Sequence, residues 1–172
     1  VIGSSNDGIV GKDGLVISGG IIEVTSVDDG IRGKDYVAIT GGDITVDATG
    51  DAVKSDNETD DGTGFVLVEG GTLTVTSEDD GIKGSQQVLV SGGTIVVAES
   101  MEALEGSTVI IDGGDLNLHS ADDAVNVSGS SSSDASGGQG GGDMSADAAL
   151  QLWINGGDLT VWSSGDGLDS NG

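Results

Sequence analysis

Seven acidic residues recur along the chain, each directly before a glycine or an alanine. They are Asp7, Asp29, Asp51, Asp80, Glu102, Asp123 and Asp166, separated by 22, 22, 29, 22, 21 and 43 residues. If the segments that carry them lie side by side as strands, their carboxylates repeat at about 4.8 Å. Two such charges repel by roughly 3 kcal/mol at an effective dielectric constant near 20. The spacing therefore predicts that cations or protons neutralise this acidic column.

Calcium suits such a column better than other common metals. It binds about six to eight oxygens at about 2.3–2.6 Å, so one ion can bridge two carboxylate oxygens on neighbouring strands. Magnesium demands shorter and stricter contacts, and a chain with one His and no Cys argues against zinc or copper. The predicted calcium ligands are Asp28, Asp29, Asp51, Asp56, Glu58, Asp79, Asp80, Glu102, Asp122 and Asp123. The alternative is that each Asp-Gly pair is only a turn, in which Asp bonds its own backbone.

Two of these residues, Asp56 and Glu58, belong to an acidic insertion at about 56–62. Its alternating carboxylates superficially resemble an EF-hand loop, but Gly62 falls one place late and no flanking helix is expected. We therefore predict a calcium loop of a different kind.

A second repeat indicates which elements position the acidic residues. Gly-Gly pairs begin at Gly19, Gly41, Gly70, Gly92, Gly113 and Gly156, and their steps follow the same series as the acidic column. Each unit contains two strands of alternating apolar and polar residues, joined at the Gly pair and followed by a short third strand. The strands are rich in β-branched residues and lack Pro, as half-buried strands are. We predict that the Gly pair forms a corner that requires a positive φ.

The repeat predicts the fold class. We expect an all-β fold, a right-handed parallel β-helix (solenoid) of about 22 residues per coil and roughly seven coils. Inward columns of aliphatic side chains would form its core, for example Ile17, Ile39, Val68, Val90, Ile111 and Ile154. One domain spans residues 1–172, with loop insertions at about 56–62 and 129–149. Both ends fall within a repeat unit, so we expect a piece of a longer chain.

Composition limits the partners. The chain has 30 acidic and 5 basic residues and a formal charge of −25, which argues against nucleic acid and anionic membrane surfaces. No apolar run approaches the roughly 18 residues of a membrane span, so membrane insertion is not expected. Self-association could use open coil ends or an outward apolar stripe. The stripe consists of Val16, Ala38, Leu67, Leu89, Ile110 and Trp153.

Several motifs carry a family resemblance that covers essentially the whole chain. Residues 51–58, DAVKSDNE, resemble the "DGIKSDNE" stretch of a bacterial extracellular carbohydrate-binding domain family best known from cellulolytic clostridia. Residues 26–31, 77–82 and 165–172 are similar to further copies, and residues 101–106 resemble the family's "EGIEG". The sequence departs from the pattern at Ala52, Ala103 and Ala124, where the motif has Gly, and at Met101, where an aromatic residue is common.

The resemblance implies calcium-bound, pectate-lyase-like coils on a secreted or cell-surface bacterial protein. It also implies binding to plant cell-wall polysaccharide, preferably acidic and polygalacturonate-like, and extends to cellulose. The predicted carbohydrate-binding residues are Arg32, Lys54, Lys83, Trp153 and Trp162. The three basic residues form a strip beside the acidic column that, together with calcium, could hold sugar carboxylates. The two Trp could stack on sugar rings, or instead cap the fold or contact the second insertion.

Three functions stay open from the sequence. Non-catalytic polysaccharide binding is favoured over catalysis. A polysaccharide lyase would use calcium and a Lys base, but neighbouring carboxylates should raise the Lys pKa, which is wrong for a base. The basic strip could equally be a salt-bridged charge ladder. A cell-surface structural or adhesive solenoid is the third possibility.

Overall fold

The protein is described by a computed structural model over residues 1–129 and 150–170. Its regular elements in these ranges are 18 strands that pair in parallel within two sheets of seven and eleven strands. The seven-stranded sheet has the order β1-β4-β7-β10-β12-β14-β17. Its strands are β1 (Ile2–Ser4), β4 (Ile21–Ser26), β7 (Asp43–Ala48), β10 (Thr72–Ser77), β12 (Thr94–Glu99), β14 (Asp115–Ser120) and β17 (Asp158–Ser163).

The eleven-stranded sheet contains two rows of strands that join at its longest members. One row has the order β18-β15-β13-β11-β8-β5-β2. The other row has the order β3-β6-β9-β11-β13-β16, so β11 and β13 belong to both rows. The first row comprises β2 (Ile9–Gly11), β5 (Ile31–Gly33), β8 (Val53–Ser55), β11 (Ile82–Val90), β13 (Leu104–Ile111), β15 (Val125–Val127) and β18 (Leu168–Ser170). The second adds β3 (Gly14–Ile17), β6 (Tyr36–Ile39), β9 (Phe65–Val68) and β16 (Gln151–Ile154).

The predicted all-β class and the parallel pairing are confirmed, but the predicted seven-coil right-handed β-helix of 22 residues per coil is wrong. The structure has 18 short strands in two sheets of seven and eleven strands. The predicted third strand of one unit and the first strand of the next are continuous in β11 and β13, which are nine and eight residues long. Gly84 and Gly106 lie within these two strands, and the register between β11 and β13 shifts between Gly84 and Gln87, but segments predicted as separate strands belong to one sheet.

The core consists of aliphatic side chains between the sheets. Alternation along the strands places them inward, and Val24, Val46, Val75 and Val97 are buried on successive strands of the seven-stranded sheet. The predicted inward column from Ile17 to Ile111 is also buried, whereas its last member, Ile154 in β16, is 46% exposed. Burial of each aliphatic side chain contributes about 1.5–3 kcal/mol to the stability of the fold. The core is therefore stable with almost no aromatic residues.

The Gly pairs form corners, as predicted. The second Gly of each pair has a φ between 88° and 114°, a region that side-chain-bearing residues rarely adopt. These residues are Gly20, Gly42, Gly71, Gly93, Gly114 and Gly157.

The two predicted insertions differ in how far the structure describes them. Residues 56–64 connect β8 to β9. Of the predicted insertion at 129–149, only Gly129 lies within the described residues. Among the residues that are described, no helix has the length and apolar character needed to cross a bilayer.

Candidate carbohydrate and cation site

The acidic column lies at the entrance to the short strands of the eleven-stranded sheet. Each acidic residue stands two positions before a strand, as Asp29 does before β5 and Asp51 before β8. The small residue between them is required by packing, because a Cβ at Gly30 would lie 2.2 Å from Val46 Cγ1. The sequence pattern acidic–small–aliphatic thus fixes the carboxylates at one edge of the core.

Each carboxylate in the middle of the column accepts a hydrogen bond from the backbone of the next acidic residue. The N–H of Asp51 donates to Asp29 Oδ1 at 3.1 Å, and the N–H of Asp80 donates to Asp51 Oδ1 at 3.0 Å. The N–H of Glu102 donates to Asp80 Oδ1 at 3.3 Å. These amides favour the charged form of each carboxyl group, a contribution that the spacing argument missed, but burial outweighs it and raises the pKa of Asp29 and Asp80.

Basic side chains supply further compensation. Lys54 Nζ lies 2.6 Å from Asp51 Oδ2 and 3.5 Å from Asp29 Oδ1, so it bridges two neighbouring strands. Lys83 Nζ lies 2.7 Å from Asp80 Oδ2 and also pairs with Glu105. These contacts form the salt-bridged ladder that was one of the two sequence-based alternatives for the basic strip.

Arg32 completes this ladder at its other end. Its guanidinium pairs with Asp56, and it lies 3.5 Å from Asp7 Oδ2 and 3.7 Å from Asp29 Oδ2. The side chains of Arg32, Lys54 and Lys83 keep between 25% and 36% of their surface exposed. Their predicted contact with a polysaccharide therefore stays a prediction.

The titration of these groups follows from burial and from the ion pairs. Burial, together with hydrogen bonds to Glu105 and Glu102, raises the pKa of Asp80 to about 10. Burial alone would also raise the pKa of Glu105, but hydrogen bonds from Asp80 and Lys83 outweigh it and lower that pKa to about 2. The two carboxyl groups therefore share one proton beside Lys83.

The lysines are poor candidates for a catalytic base. Burial lowers the pKa of Lys54, but its hydrogen bond to Asp51 and the surrounding carboxylates outweigh burial and raise it overall. The pKa of Lys83 is raised for the same kind of reason by Asp80 and Glu105. A base must lose its proton near the working pH, so both shifts are in the wrong direction for lyase chemistry.

Two groups of three carboxylates have the geometry to hold a metal ion. One comprises Asp7, Asp28 and Asp29, and the other comprises Asp51, Asp79 and Asp80; the ligand atoms of each lie within 4.8 Å of one another. Asp28 and Asp79 are exposed, whereas Asp29, Asp51 and Asp80 are buried. All ligand atoms are carboxylate oxygens, the donors that calcium prefers. We name these sets the first and second carboxylate clusters.

A glycine leaves room at the first cluster. A Cβ at Gly50 would lie 2.9 Å from Asp29 Oδ1 and 3.0 Å from Asp28 Oδ1, so both oxygens face the same space. Since calcium needs open volume between converging oxygens, the residues present fit this ion. Asp7 was in the acidic column but outside the predicted ligand set, and the cluster adds it.

The other predicted ligands do not join either cluster. Asp56 pairs with Arg32, Glu58 is exposed, and Glu102 is half-buried in the ladder. Asp122 and Asp123 turn their Oδ1 atoms toward the space beside Gly165, where a Cβ would lie 2.5 and 2.4 Å away. Their calcium ligation stays a prediction.

The loop at residues 56–64 is built around one buried amide. Asn57 is 2% exposed, and its Nδ2 donates to Asp35 Oδ1 at 2.7 Å and to Asp60 Oδ2 at 3.0 Å. Its Oδ1 accepts bonds from the backbone N–H groups of Thr59 and Asp60 at 3.1 and 3.2 Å. Gln86 of β11 donates to the carbonyls of Asn57 and Asp60, which fastens the loop to the sheet.

This loop stands between two surface clefts. One, of about 280 Å³, is polar and is lined by Glu58, Lys83, Ser85, Glu105 and Ser128 among others. The other, of about 410 Å³, includes Thr63, Phe65 and Leu67 in its lining. The loop therefore shapes two possible ligand surfaces on the same sheet.

The two Trp residues lie on different sheets. Trp153 is in β16 of the eleven-stranded sheet and is 50% exposed, with its Nε1 donating to Gln151 Oε1 at 3.0 Å. Trp162 is in β17 of the seven-stranded sheet and is 64% exposed, with its ring centroid 6.1 Å from that of His119. The stacking role of each stays a prediction.

Comparison with known families defines the class of this protein. Residues 1–167 match the family model described as "Carbohydrate-binding domain-containing protein". The chain therefore belongs to this carbohydrate-binding family, which confirms the carbohydrate-binding part of the resemblance and indicates a polysaccharide partner. No curated protein and no solved structure matches the chain.

Proposed function

We propose that this carbohydrate-binding chain binds an acidic polysaccharide without cleaving it, and that calcium at the two carboxylate clusters links protein and sugar. The observation that carries the proposal is the pair of three-carboxylate clusters, each with ligand atoms within 4.8 Å of one another. Each cluster supplies part of the six to eight oxygens that calcium takes. The carboxylate and hydroxyl oxygens of a uronic acid chain, together with water, are suited to supply the rest.

Charge supports a bridging cation. A protein with a net charge of −25 repels a polyuronate, so direct association is electrostatically unfavourable. The nearby basic side chains do not remove this problem, because Arg32, Lys54 and Lys83 are already paired with carboxylates of the chain. A divalent cation at the exposed edge of a cluster would cancel most of the charge of its three carboxylates and offer open coordination positions to a sugar carboxylate.

The position of the exposed carboxylates supports access from solvent. Asp28 and Asp79 are exposed, whereas their cluster partners are held by backbone amides, lysines or, for Asp7, by Arg32. The buried members thus fix the geometry and the exposed members are free to meet a ligand. Extracellular calcium-binding modules with dissociation constants of about 0.1–1 mM are occupied at the calcium concentrations found outside cells. We therefore also propose a secreted or cell-surface location.

Calorimetry with polygalacturonate tests the proposal. We expect binding in calcium and none in excess chelator. Replacing both exposed ligands, Asp28→Asn with Asp79→Asn, should weaken calcium-dependent binding by about tenfold or more, because each cluster loses a charged oxygen donor. The matched control is Asp43→Asn with Asp115→Asn, which makes the same charge change on the seven-stranded sheet. Polygalacturonate binding that survives chelation unchanged would refute the proposal.

A further inference from the structure

One outward face of the eleven-stranded sheet carries no charge among its described residues. It is the side of β3, β6, β9, β11, β13 and β16 that points away from the core, and the strand register aligns its residues in two rows. One row is the apolar stripe that the sequence predicts. The other, which we call the neutral row, consists of Gly14, Tyr36, Phe65, Gln87, Thr108 and Gln151. We call the two rows together the uncharged face.

The other outward surfaces of the two sheets are charged. The row of short strands presents Arg32, Lys54 and Glu105, and the seven-stranded sheet presents Glu23 and Asp43. Because the chain has 30 acidic and 5 basic residues, two copies repel each other in most orientations. Among the described surfaces, the uncharged face is the one where contact between two copies brings the fewest like charges together.

Apolar side chains on this face provide a driving force for contact. Val16 and Trp153, at opposite ends of the apolar stripe, are 56% and 50% exposed, and Leu89 between them is half-buried. In the neutral row, the ring of Phe65 stacks on that of Tyr36, with centroids 5.4 Å apart and planes 10° apart. Burial of such side chains against a partner is favourable, and a continuous apolar patch on a highly charged chain marks a contact surface.

The two rows complement a second copy of themselves. A two-fold axis parallel to the strands and between β9 and β11 places apolar stripe on apolar stripe and neutral row on neutral row. The same rotation reverses the strand order, so Trp153 on β16 faces the smaller Val16 on β3 of the second copy, and Ile110 on β13 faces Ala38 on β6. An axis in the sheet plane but perpendicular to the strands would instead place the apolar stripe on the neutral row. Parallel alignment of the strands also agrees with the usual packing of facing sheets.

From this geometry we propose that the uncharged face binds a second copy of this chain and forms a two-fold symmetric dimer. A two-fold contact requires one self-complementary patch, which the two rows supply. Six strands at about 4.8 Å and four residues at about 3.3 Å give the face an area of roughly 400 Å². A standard interface buries about 800 Å² on each partner, so we expect a weak dimer that forms as protein concentration rises. This proposal goes beyond the calcium-dependent binding of polysaccharide and does not depend on it.

The chain's own segment at 130–149 is a poorer occupant by composition. It joins Gly129 to Leu150, directly before β16. Its 20 residues include three Asp and a single large apolar side chain, Met144. Such a segment offers little apolar surface to cover the apolar stripe, whereas a second copy offers the stripe itself.

The charge of the two copies predicts how dimerisation responds to salt. Exposed Glu58, Asp60 and Asp61 in the 56–64 loop lie beside β9 and add to the repulsion between two chains of −25. The uncharged face contributes no ion pair, so salt screens repulsion alone. Raising NaCl from about 0.02 to 0.2 M shortens the Debye length from roughly 20 to 7 Å and should strengthen dimerisation severalfold. Dimerisation that weakens over this range would contradict the proposal.

Sedimentation equilibrium in excess chelator tests the proposal, because chelator excludes calcium bridges between two copies. We expect the mean mass to rise from that of one chain toward that of two as protein concentration increases. Leu89→Glu should weaken dimerisation by about a hundredfold, about tenfold at each of two symmetric positions, because each carboxylate is desolvated without a partner. The matched control is Val96→Glu, a half-buried outward position on β12 of the other sheet, which should dimerise like the wild type. Circular dichroism checks that both variants are folded.

Cross-linking tests the arrangement without altering the face. The chain has no Cys, so Ser18→Cys and Asn155→Cys each introduce a single thiol at an exposed corner beside the apolar stripe. Facing sheets lie about 10 Å apart, which is too far for a disulfide but within reach of a short bismaleimide. We expect a mixture of the two variants to cross-link. Each variant alone should not, because its two copies of the thiol would lie about 24 Å apart.

The outcomes separate this proposal from the calcium proposal. Leu89→Glu should lose dimerisation and keep calcium-dependent polygalacturonate binding. A mass that stays at one chain at every protein and salt concentration, or equal weakening by Leu89→Glu and Val96→Glu, would overturn the dimer. Cross-linking of either thiol variant alone as fast as the mixture would overturn the two-fold arrangement. Dimerisation that appears only after deletion of residues 130–149 would also overturn it, since that segment would then occupy the face.

Discussion

Replacing Asn57 by Ala should destabilise the protein far more than its loop position suggests. The side chain is 2% exposed and makes five hydrogen bonds, two through Nδ2 and three through Oδ1. A net contribution of about 1 kcal/mol each would give an upper limit of about 5 kcal/mol. Water can replace partners on the exposed side of the loop, so we expect a loss of about 3 kcal/mol. For a chain of this size that corresponds to a fall in Tm of roughly 6–12 °C.

Denaturant unfolding followed by circular dichroism measures this loss, and two further variants define its cause. Thr59→Ala removes one of the five bonds from an exposed residue and should cost less than about 1 kcal/mol. Asn57→Asp keeps the shape but places a carboxylate against Asp35 and Asp60, so it should be destabilising at neutral pH and recover partly in acid. If the free energy of unfolding of Asn57→Ala lies within about 0.5 kcal/mol of the wild-type value, the side-chain amide of Asn57 does not organise the loop.

Three further predictions concern the corners, the shared proton and the cation. Gly20→Ala should lower the free energy of unfolding by about 1–2 kcal/mol because φ at Gly20 is +104°. Gly19→Ala should be nearly neutral, although both positions have open space for a Cβ. The unfolding midpoints of the two variants test this difference. Without calcium, stability should fall as pH rises from about 4.5 to 10, because folded Asp80 holds a proton that the unfolded chain has lost. Stability should also fall as pH drops from 4.5 toward 2, because Glu105 must then be protonated in the folded state. Unfolding of the wild type as a function of pH checks both dependences. Asp80→Asn should lack the decrease in stability at alkaline pH. Calcium at about 100 times its dissociation constant should add about 2.7 kcal/mol, measured as a rise in Tm that chelator reverses.

Much of the strand arrangement could be predicted from residue spacing. Alternation and the two periodic markers locate most strands, their parallel pairing and their inward residues, because a strand buries every second side chain. The positive φ of Gly42 and its equivalents follows from the same repeat. The grouping of strands into sheets could not be obtained this way. The chain between Lys83 and Val88 contains Gly84, which predicts a break between two strands, but β11 continues through it with a shift in register between Gly84 and Gln87.

The candidate site was predicted in its composition but not in its contacts. The column of carboxylates was visible from spacing, and so was their mutual repulsion. The backbone N–H of Asp80 as a donor to Asp51 was not, since every residue carries an amide and spacing does not indicate where it points. Periodicity also could not separate Trp153 from Trp162, because it does not assign strands to sheets. The apolar stripe from Val16 to Trp153 was also visible from spacing, and the strand register places its members at equivalent positions on neighbouring strands.

The relay of carboxylates and amides has a consequence for strand alignment. Asp51 accepts from Asp80 through its side chain and donates to Asp29 through its backbone, so each residue specifies the position of both neighbours. Aliphatic columns tolerate a slip of two residues, since the same face stays inward. A slip of this kind would separate each carboxylate from its amide and from its lysine. The acidic residues therefore determine the register between neighbouring strands. The apolar residues stabilise the packing but leave that register open.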